Sequence, residues 1–364
     1  MLGWMCMWAC GAGRAAGGEV FVRVENPPTN GMVVAWLFDS ADAFADLRDP
    51  LDTRMQPAGE ELDIRFDGLA PGRYAVLVYH DRNANGALDQ NYLGIPKEPL
   101  GFSQRYWARG APAFSAAAME VAEGERVPVD IQLREVFPRK GLIGVGAGVL
   151  MKSSPYRGSD AVRVQGIPAI TYIGQRFQIL GPFAQVGLVS WPRIRLAATA
   201  RYRLGAYDES DSDELDGMGD RKDSLFGGLA LQSPLAWGLR VSAGYEHDLL
   251  DRVGGGSGRL AIRRGFQLGR FSVSPSLGIN WLTSELARHE YGVRESEALD
   301  ERPAYRPGPA VNVEPGLGVS AEFFGGWRFM VNGSVEILAK ELRDSPLVDE
   351  SVVYRLFASV SRMF

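Results

Sequence analysis

From residue 141 onward, apolar and polar side chains alternate with a period of two. Ile194, Leu196, Ala198, Ala200, Tyr202 and Leu204 share one face of a strand, and Arg195, Thr199, Arg201 and Arg203 share the other. Leu239, Val241, Ala243 and Tyr245 oppose Arg240, Ser242, Gly244 and Glu246 in the same way. Val311, Val313, Leu317, Val319, Ala321 and Phe323 oppose Asn312, Glu314, Gly316, Ser320 and Glu322. Trp327, Phe329, Val331, Val335 and Ile337 oppose Arg328, Asn332, Ser334 and Glu336. A run of about ten residues is what a tilted strand needs to cross the hydrocarbon layer. Alternation alone also fits a soluble sandwich, where one face meets water and the other a second sheet.

Connection lengths separate the two cases. The pattern predicts strands near 141–151, 161–172, 175–180, 183–190, 193–206, 224–233, 236–249, 257–266, 270–283, 309–324, 326–338 and 351–364. Breaks at 173–174, 191–192, 233–235, 267–269 and 325 are short. Those at 152–160, 206–223, 251–256, 284–307 and 339–349 are mostly long and charged, with 181–182 the one short member of that set. Short turns at one rim and long loops at the other mark outer-membrane barrels. The expected fold is therefore all-β, ending in a transmembrane antiparallel β-barrel of about 12 strands, or ten if 175–180 and 183–190 fail to pair. An even strand number places both barrel ends at the periplasmic rim. Tyr172, Phe183, Trp191, Trp237, Trp281, Phe323, Trp327 and Phe364 fall near strand ends, where interfacial girdles form. The aromatic Phe364 also suits the C-terminal signal that barrel-assembly machinery reads, although Arg362 departs from the usual apolar residue.

Residues 18–135 follow another pattern. Val20, Val22 and Val24 alternate with Phe21, Arg23 and Glu25, while 32–38 and 74–79 are β-rich runs bounded by Asn30-Gly31 and Pro71-Gly72 turns. With 127–133 closing the set, a compact β-sandwich is expected, hung in the periplasm and joined to the barrel by a linker at 136–140 containing Pro138. Residues 1–16 read as a signal peptide or its remnant, because an apolar stretch precedes the small residues Gly13 and Ala15. Both cysteines, Cys6 and Cys10, lie there, so the remainder of the chain carries no thiol. A net charge of −5 removes any global basic field for nucleic acid. No run of about eighteen apolar residues exists to make a helical span, which leaves a closed barrel as the membrane-crossing structure.

Three groups of residues could carry chemistry. Asp81, Asn83, Asn85 and Asp89 stand at alternate positions around Gly86, and Ala87 could add a carbonyl, the donor pattern of a calcium loop. Tyr92 replaces the bidentate glutamate of an EF-hand, and an Asn/Asp turn that bonds its own backbone is the competing reading. The acidic stretch 208–223 is expected to be a solvated loop, with divalent cations shared with lipopolysaccharide as the functional alternative. Inside the barrel, Arg195, Arg201, Arg203, Arg240, Arg259, Arg263, Arg328 and Arg355 face Glu246, Glu314, Glu322 and Glu336. They make either an anion-selecting pore or a network of paired charges filling a narrow lumen. His80, His247 and His289 are the only histidines, and no nucleophile elbow or zinc motif accompanies them, so no enzyme is expected.

Several ordered motifs carry a resemblance. Gly146 to Gly148, Ser154-Pro155-Tyr156-Arg157-Gly158-Ser159, Leu215-Asp216-Gly217-Met218-Gly219-Asp220-Arg221, Tyr291-Gly292-Val293 and Ser345-Pro346-Leu347-Val348 resemble the MltA-interacting protein family (MipA/OmpV), over about 141–364. That resemblance implies an outer-membrane barrel. Some members are described as scaffolds linking a lytic transglycosylase to a peptidoglycan synthase, others as porin-like or adhesive, and the family supplies no catalytic residues. His80 to Asp89, Leu93-Gly94-Ile95-Pro96 and Gly101-Phe102-Ser103 resemble a small exported β-domain family of unknown function. The combined expectation is a non-enzymatic barrel that scaffolds or anchors peptidoglycan-remodelling proteins, a murein transglycosylase or synthase, through its periplasmic domain. The alternative is a small diffusion channel with weak anion preference. Expected partners also include the outer membrane and its lipopolysaccharide, and calcium is the one cofactor considered.

Overall fold

The computed structural model describes residues 17–60, 62–92, 94–107, 112–136, 141–191 and 194–364. Residues 1–16, expected to be a signal peptide or its remnant, and linker residues 137–140 lie outside the described residues. Two compact units result, one of 1–88, 98–107 and 113–135, the other of 89–97, 108–112 and 136–364.

The first unit holds β1 (Gly18–Val24), β2 (Met32–Phe38), β3 (Asp52–Pro57), β4 (Ile64–Leu69), β5 (Gly72–Asp81), β6 (Leu100–Phe102), β7 (Met119–Val121) and β8 (Arg126–Ile131). They form two sheets, in the orders β4-β1-β8 and β3-β2-β5-β6, with β7 on β5. Alternation in β1 turns Val20, Val22 and Val24 into a core shared with Val33, Leu37, Phe66, Val76 and Ile131. The runs in β2 and β5 are continuously apolar because their second face is also covered: Phe38 meets Phe44 at 5.3 Å, and Phe44 meets Phe102 at 5.5 Å.

The second unit contains β9 (Leu142–Ser153), β10 (Val162–Pro168), β11 (Thr171–Ile173), β12 (Phe177–Leu180), β13 (Phe183–Ser190), β14 (Arg195–Arg203) and β15 (Ser224–Pro234). It continues with β16 (Leu239–Asp248), β17 (Gly256–Arg264), β18 (Phe266–Leu268), β19 (Phe271–Leu282), β20 (Ala310–Glu322), β21 (Trp327–Ile337) and β22 (Val352–Met363). β10 and β11 pair with β9 in one register, and β17 and β18 pair with β19 in one register, so each couple is a single interrupted strand. Twelve antiparallel strands result, and β22 closes on β9 from Arg355↔Lys152 to Met363↔Gly144. Gly146 sits at that seam, where a Cβ would lie 1.8 Å from the Val360 carbonyl oxygen. The short segments 175–180 and 183–190 do pair, which settles the count at twelve.

Burial in this unit is inverted relative to a soluble protein. Val145, Leu229, Leu260, Leu277, Leu317 and Phe329 are exposed on the outer face, whereas Asn312, Glu336, Gln185 and Glu314 are buried on the inner one. Trp191, Trp237, Trp281, Phe323, Trp327 and Phe364 are exposed, as a girdle requires. Phe183 departs from that expectation. It shares the inner face with Gln185, and the Arg201 guanidinium lies 4.9 Å from its ring.

Candidate functional site: the capped lumen

The long connections at one rim do not spread into solvent. They pack into one apolar core that includes Tyr156, Tyr207, Leu215, Leu286, Tyr291 and Leu342. Helix Ser284–Tyr291 is started by Thr283, whose hydroxyl accepts from the Leu286 N–H at 3.4 Å, and it turns Leu286, Ala287, Glu290 and Tyr291 inward. Tyr156 is the centre. Its hydroxyl donates to the Glu290 carbonyl at 3.1 Å, and its ring lies 4.8 Å from Tyr207 and 6.1 Å from Tyr291. The Ser345 hydroxyl donates to the Tyr291 carbonyl at 2.7 Å, and the Arg157 N–H to the Leu347 carbonyl at 2.8 Å. Two buried arginines tie carbonyls that no strand could satisfy. Arg221 donates to Met218 and His289 at 2.9 Å, and Arg302 to Glu214 at 2.6 Å and Asp216 at 2.9 Å. Loops arriving from separated positions around the rim thus meet over the mouth as a cap.

The acidic stretch belongs to this cap, contrary to the solvated loop expected. Leu215 and Met218 anchor it in the core, Asp208 and Asp211 cap one another, and the Arg163 guanidinium donates to Asp208 at 2.7 Å. The apolar pair Leu215 and Met218 inside a run of carboxylates was the available signal. Burial shifts the cap's titrations. The Tyr207 phenol is pushed up to about 12 by burial, opposed by Arg221. Burial holds the His289 imidazole below its ordinary range. For Glu290 burial acts upward, but the Arg203 and Lys152 cations outweigh it and leave the carboxyl below its usual value.

Beneath the cap, the predicted inward charges are mostly paired. Arg201 Nε donates to Glu246 at 3.0 Å, and Arg328 bonds Glu322. Arg259 bonds Glu314, which also accepts from Asn280 at 2.5 Å. Arg355 meets Glu336 at 2.5 Å, and Asn312 donates to the other Glu336 oxygen at 2.8 Å. Arg203 reaches up to Glu290 at 2.7 Å, linking the barrel wall to the cap. Glu290 was missed in the sequence because it sits in a connection, outside any alternating strand. Arg240 and Arg263 are register partners across β16 and β17, with no carboxylate in ion-pair reach among the described residues. Arg195 lies against Gly94, where a Cβ would meet its guanidinium at 2.8 Å.

Residues 145–364 match the family described as MltA-interacting protein MipA, more than half of the chain. The chain belongs to the MipA family. Tyr156, Leu215, Met218, Tyr291, Val293, Leu347 and Val348, from the segments whose resemblance pointed to this family, all lie in the cap core. Residues 22–128 match a second family, described as an uncharacterized protein conserved in bacteria (DUF2141). The Escherichia coli (strain K12) protein YiaT is 27% identical over 61% of this chain and 91% of its own length. The MltA-interacting protein of the same organism is 28% identical over 58% of this chain and 86% of its own. OmpV of Vibrio cholerae is 26% identical over 44% of this chain and 62% of its own. Relatives of this MipA-family barrel are outer-membrane proteins, and the chain is an outer-membrane barrel. Among solved structures, a Pseudomonas aeruginosa FadL homologue aligns at 9% identity with a TM-score of 0.33, covering 63% of this chain and 92% of that one. A likeness that low carries no argument.

At the expected calcium loop, side chains bond the backbone of their own turn. Buried Asp81 accepts from the Gly86 N–H at 2.7 Å and the Asn85 N–H at 3.2 Å, Asn83 accepts from Asn85 at 3.2 Å, and Asn85 from Ala87 at 2.8 Å. These are Asx-turn bonds, which hold the chain reversal without an ion. Asp81, Asn83, Asn85 and Ala87 belong to the first unit and Asp89 to the second. Among the described residues no three His, Cys, Asp or Glu side chains converge as a metal site.

Proposed function

We propose that this outer-membrane barrel is a non-enzymatic, non-conducting anchor, and that residues 18–135 form a periplasmic module that holds a peptidoglycan-remodelling enzyme. The carrying observation is the cap: a mouth filled by an apolar core above carboxylate-paired arginines suits a rigid membrane post better than an open pore. The kinship to an MltA-interacting protein supports a lytic transglycosylase as the partner class. In planar bilayers the refolded chain should give no stable single-channel steps, and a murein transglycosylase should co-purify with the full chain but not with one lacking residues 18–135. Steady conductance together with no co-purifying enzyme would sink this reading.

The opposed pair Arg240 and Arg263 favours the second reading, a narrow path with anion preference. Its expected signature is conductance that loses its chloride preference when both are changed to glutamine. Calcium at Asp81, Asn83, Asn85 and Ala87 is proposed on donor chemistry alone, with a single carboxylate, so binding would be at the weak, millimolar end. The check is thermal: about 5 mM calcium should raise Tm by a few degrees over chelator, and should do nothing after Asp81→Asn.

A further inference from the structure

The barrel wall is interrupted beside the cap. β10 pairs with β9 along one edge and, among the described residues, with no strand along the other. The next hairpin, β12 and β13, turns back at Gly181-Pro182. There Gly181 N–H donates to the Ile170 carbonyl at 3.0 Å, and Tyr202 N–H to the Pro182 carbonyl at 2.8 Å. Ser154 N–H bonds the Ala161 carbonyl and Ala169 N–H bonds the Gly146 carbonyl, so the odd positions of this strand point to β9. The even positions Val162, Val164, Gly166 and Pro168 therefore direct their backbone groups into the gap. In hydrocarbon an open edge is costly. Pro168 removes one donor from it, the substitution expected at an unpaired edge.

Side chains rather than a ladder cross the gap. Gln165 Nε2 donates to the Tyr202 hydroxyl at 2.9 Å, the same hydroxyl bonds Asp223, and Arg163 reaches Asp208 at 2.7 Å. Behind these bolts the lumen changes character. Leu150, Ile167, Phe183 and Phe357 occupy inward positions of strands whose counterparts elsewhere carry paired charges. The Phe357 ring fills the space that a Cβ at Gly181 would take, 2.9 Å away, and lies 3.2 Å from that of Gly148. With the axial mouth capped, these apolar side chains line the inner wall next to the open edge of β10.

We propose that the gap between β10 and Tyr202 is a lateral portal. It admits the hydrocarbon chain of a single-chain amphiphile from the outer leaflet onto Leu150, Ile167, Phe183 and Phe357, with the polar head hydrogen-bonded at Gln165 and Tyr202. The ligand class follows from apolar side chains inside, lipid outside and, at the threshold, the hydrogen-bonding pair Gln165 and Tyr202 beside the Arg163–Asp208 ion pair. The proposal does not depend on whether the barrel conducts ions.

The test uses the full chain in nanodiscs with Cys6 and Cys10 changed to serine, and a dansyl-labelled fatty acid as probe. Two side chains that meet through a hydrogen bond stand too far apart for a disulfide. Q165C/Y202C is therefore closed with a reductively cleavable bis-maleimide. Saturable binding by the parent chain, weaker in uncross-linked Q165C/Y202C because both head-group partners are gone, about tenfold weaker again on cross-linking and restored to the uncross-linked level on cleavage, is the expected result. A change to Y202A should speed probe entry. Equal binding before and after cross-linking, or none at all, overturns the portal, provided heat-modifiable mobility shows the barrel folded. Efficient cross-linking between two chains carrying Val164→Cys would overturn it differently, by making the open edge a contact between copies.

Discussion

Tyr156→Ala is expected to release the capping loops from one another while the barrel stays folded. The side chain is 2% exposed, and it joins three connections through the rings of Tyr207 and Tyr291 and the Glu290 carbonyl. Removing a buried aromatic costs about 3–5 kcal/mol, which exceeds what the remaining loop contacts can absorb locally. The strand ladders do not pass through Tyr156, so the cost falls on the cap. Protease added to intact cells should cleave within 204–223 and 283–309 in the variant and leave the parent whole, with heat-modifiable mobility unchanged in both. Tyr156→Phe keeps the ring and loses one hydrogen bond, worth about 1 kcal/mol, and should resemble the parent. If Tyr156→Ala were as resistant as the parent, the loops would not be held by this core.

The second large effect is expected at the buried pair of Arg203 and Glu290. Glu290 is 4% exposed, so Glu290→Gln leaves Arg203 and Lys152 without their shared counter-charge. Breaking one side of a buried pair costs about 3–5 kcal/mol, more than the pair itself contributes. Acid should act in the same direction. The Glu290 carboxyl is held below its ordinary value, so its contribution is complete above the unfolded carboxylate range and is lost as pH falls through the lowered folded value. His289 is lowered by burial, and its neutral form likewise stabilises the cap above the ordinary imidazole value of about 6.5 and is lost as pH drops below it. Amide exchange across 284–297 should therefore be slow and pH-independent above neutrality once corrected for intrinsic rates. It should rise first as histidine protonates, then again in the carboxylate range. In Glu290→Gln the second rise should be missing and the baseline faster. An unchanged two-stage profile in that variant would assign the acid step to another group.

How much of this was legible beforehand depends on the kind of interaction. Period-two alternation is a local property of the chain, and it fixed which residues of β14, β16, β20 and β21 meet lipid and which meet the lumen. Loop asymmetry gave the rim at which the cap stands, and twelve strands followed even for the short hairpin at 177–190. Phe183 was misplaced because proximity to a strand end suggests an interface, whereas the parity it shares with Gln185 points it inward.

The cap needed tertiary structure. Tyr156, Leu215, Leu286 and Leu342 come from four connections far apart in sequence, and nothing periodic relates them. A run such as 208–223 looks solvated by its charge, yet two apolar side chains and the arginines of other loops decide where it packs. Glu290 and Arg203 illustrate the same limit, since a partner 87 positions away is invisible until the loop folds over the barrel. The sequence by itself determined the inside and outside of the wall, because backbone pleating enforces that alternation wherever a strand exists. Only the three-dimensional arrangement decided that the mouth is covered and the wall interrupted, because both depend on where strand ends and loops meet across the barrel.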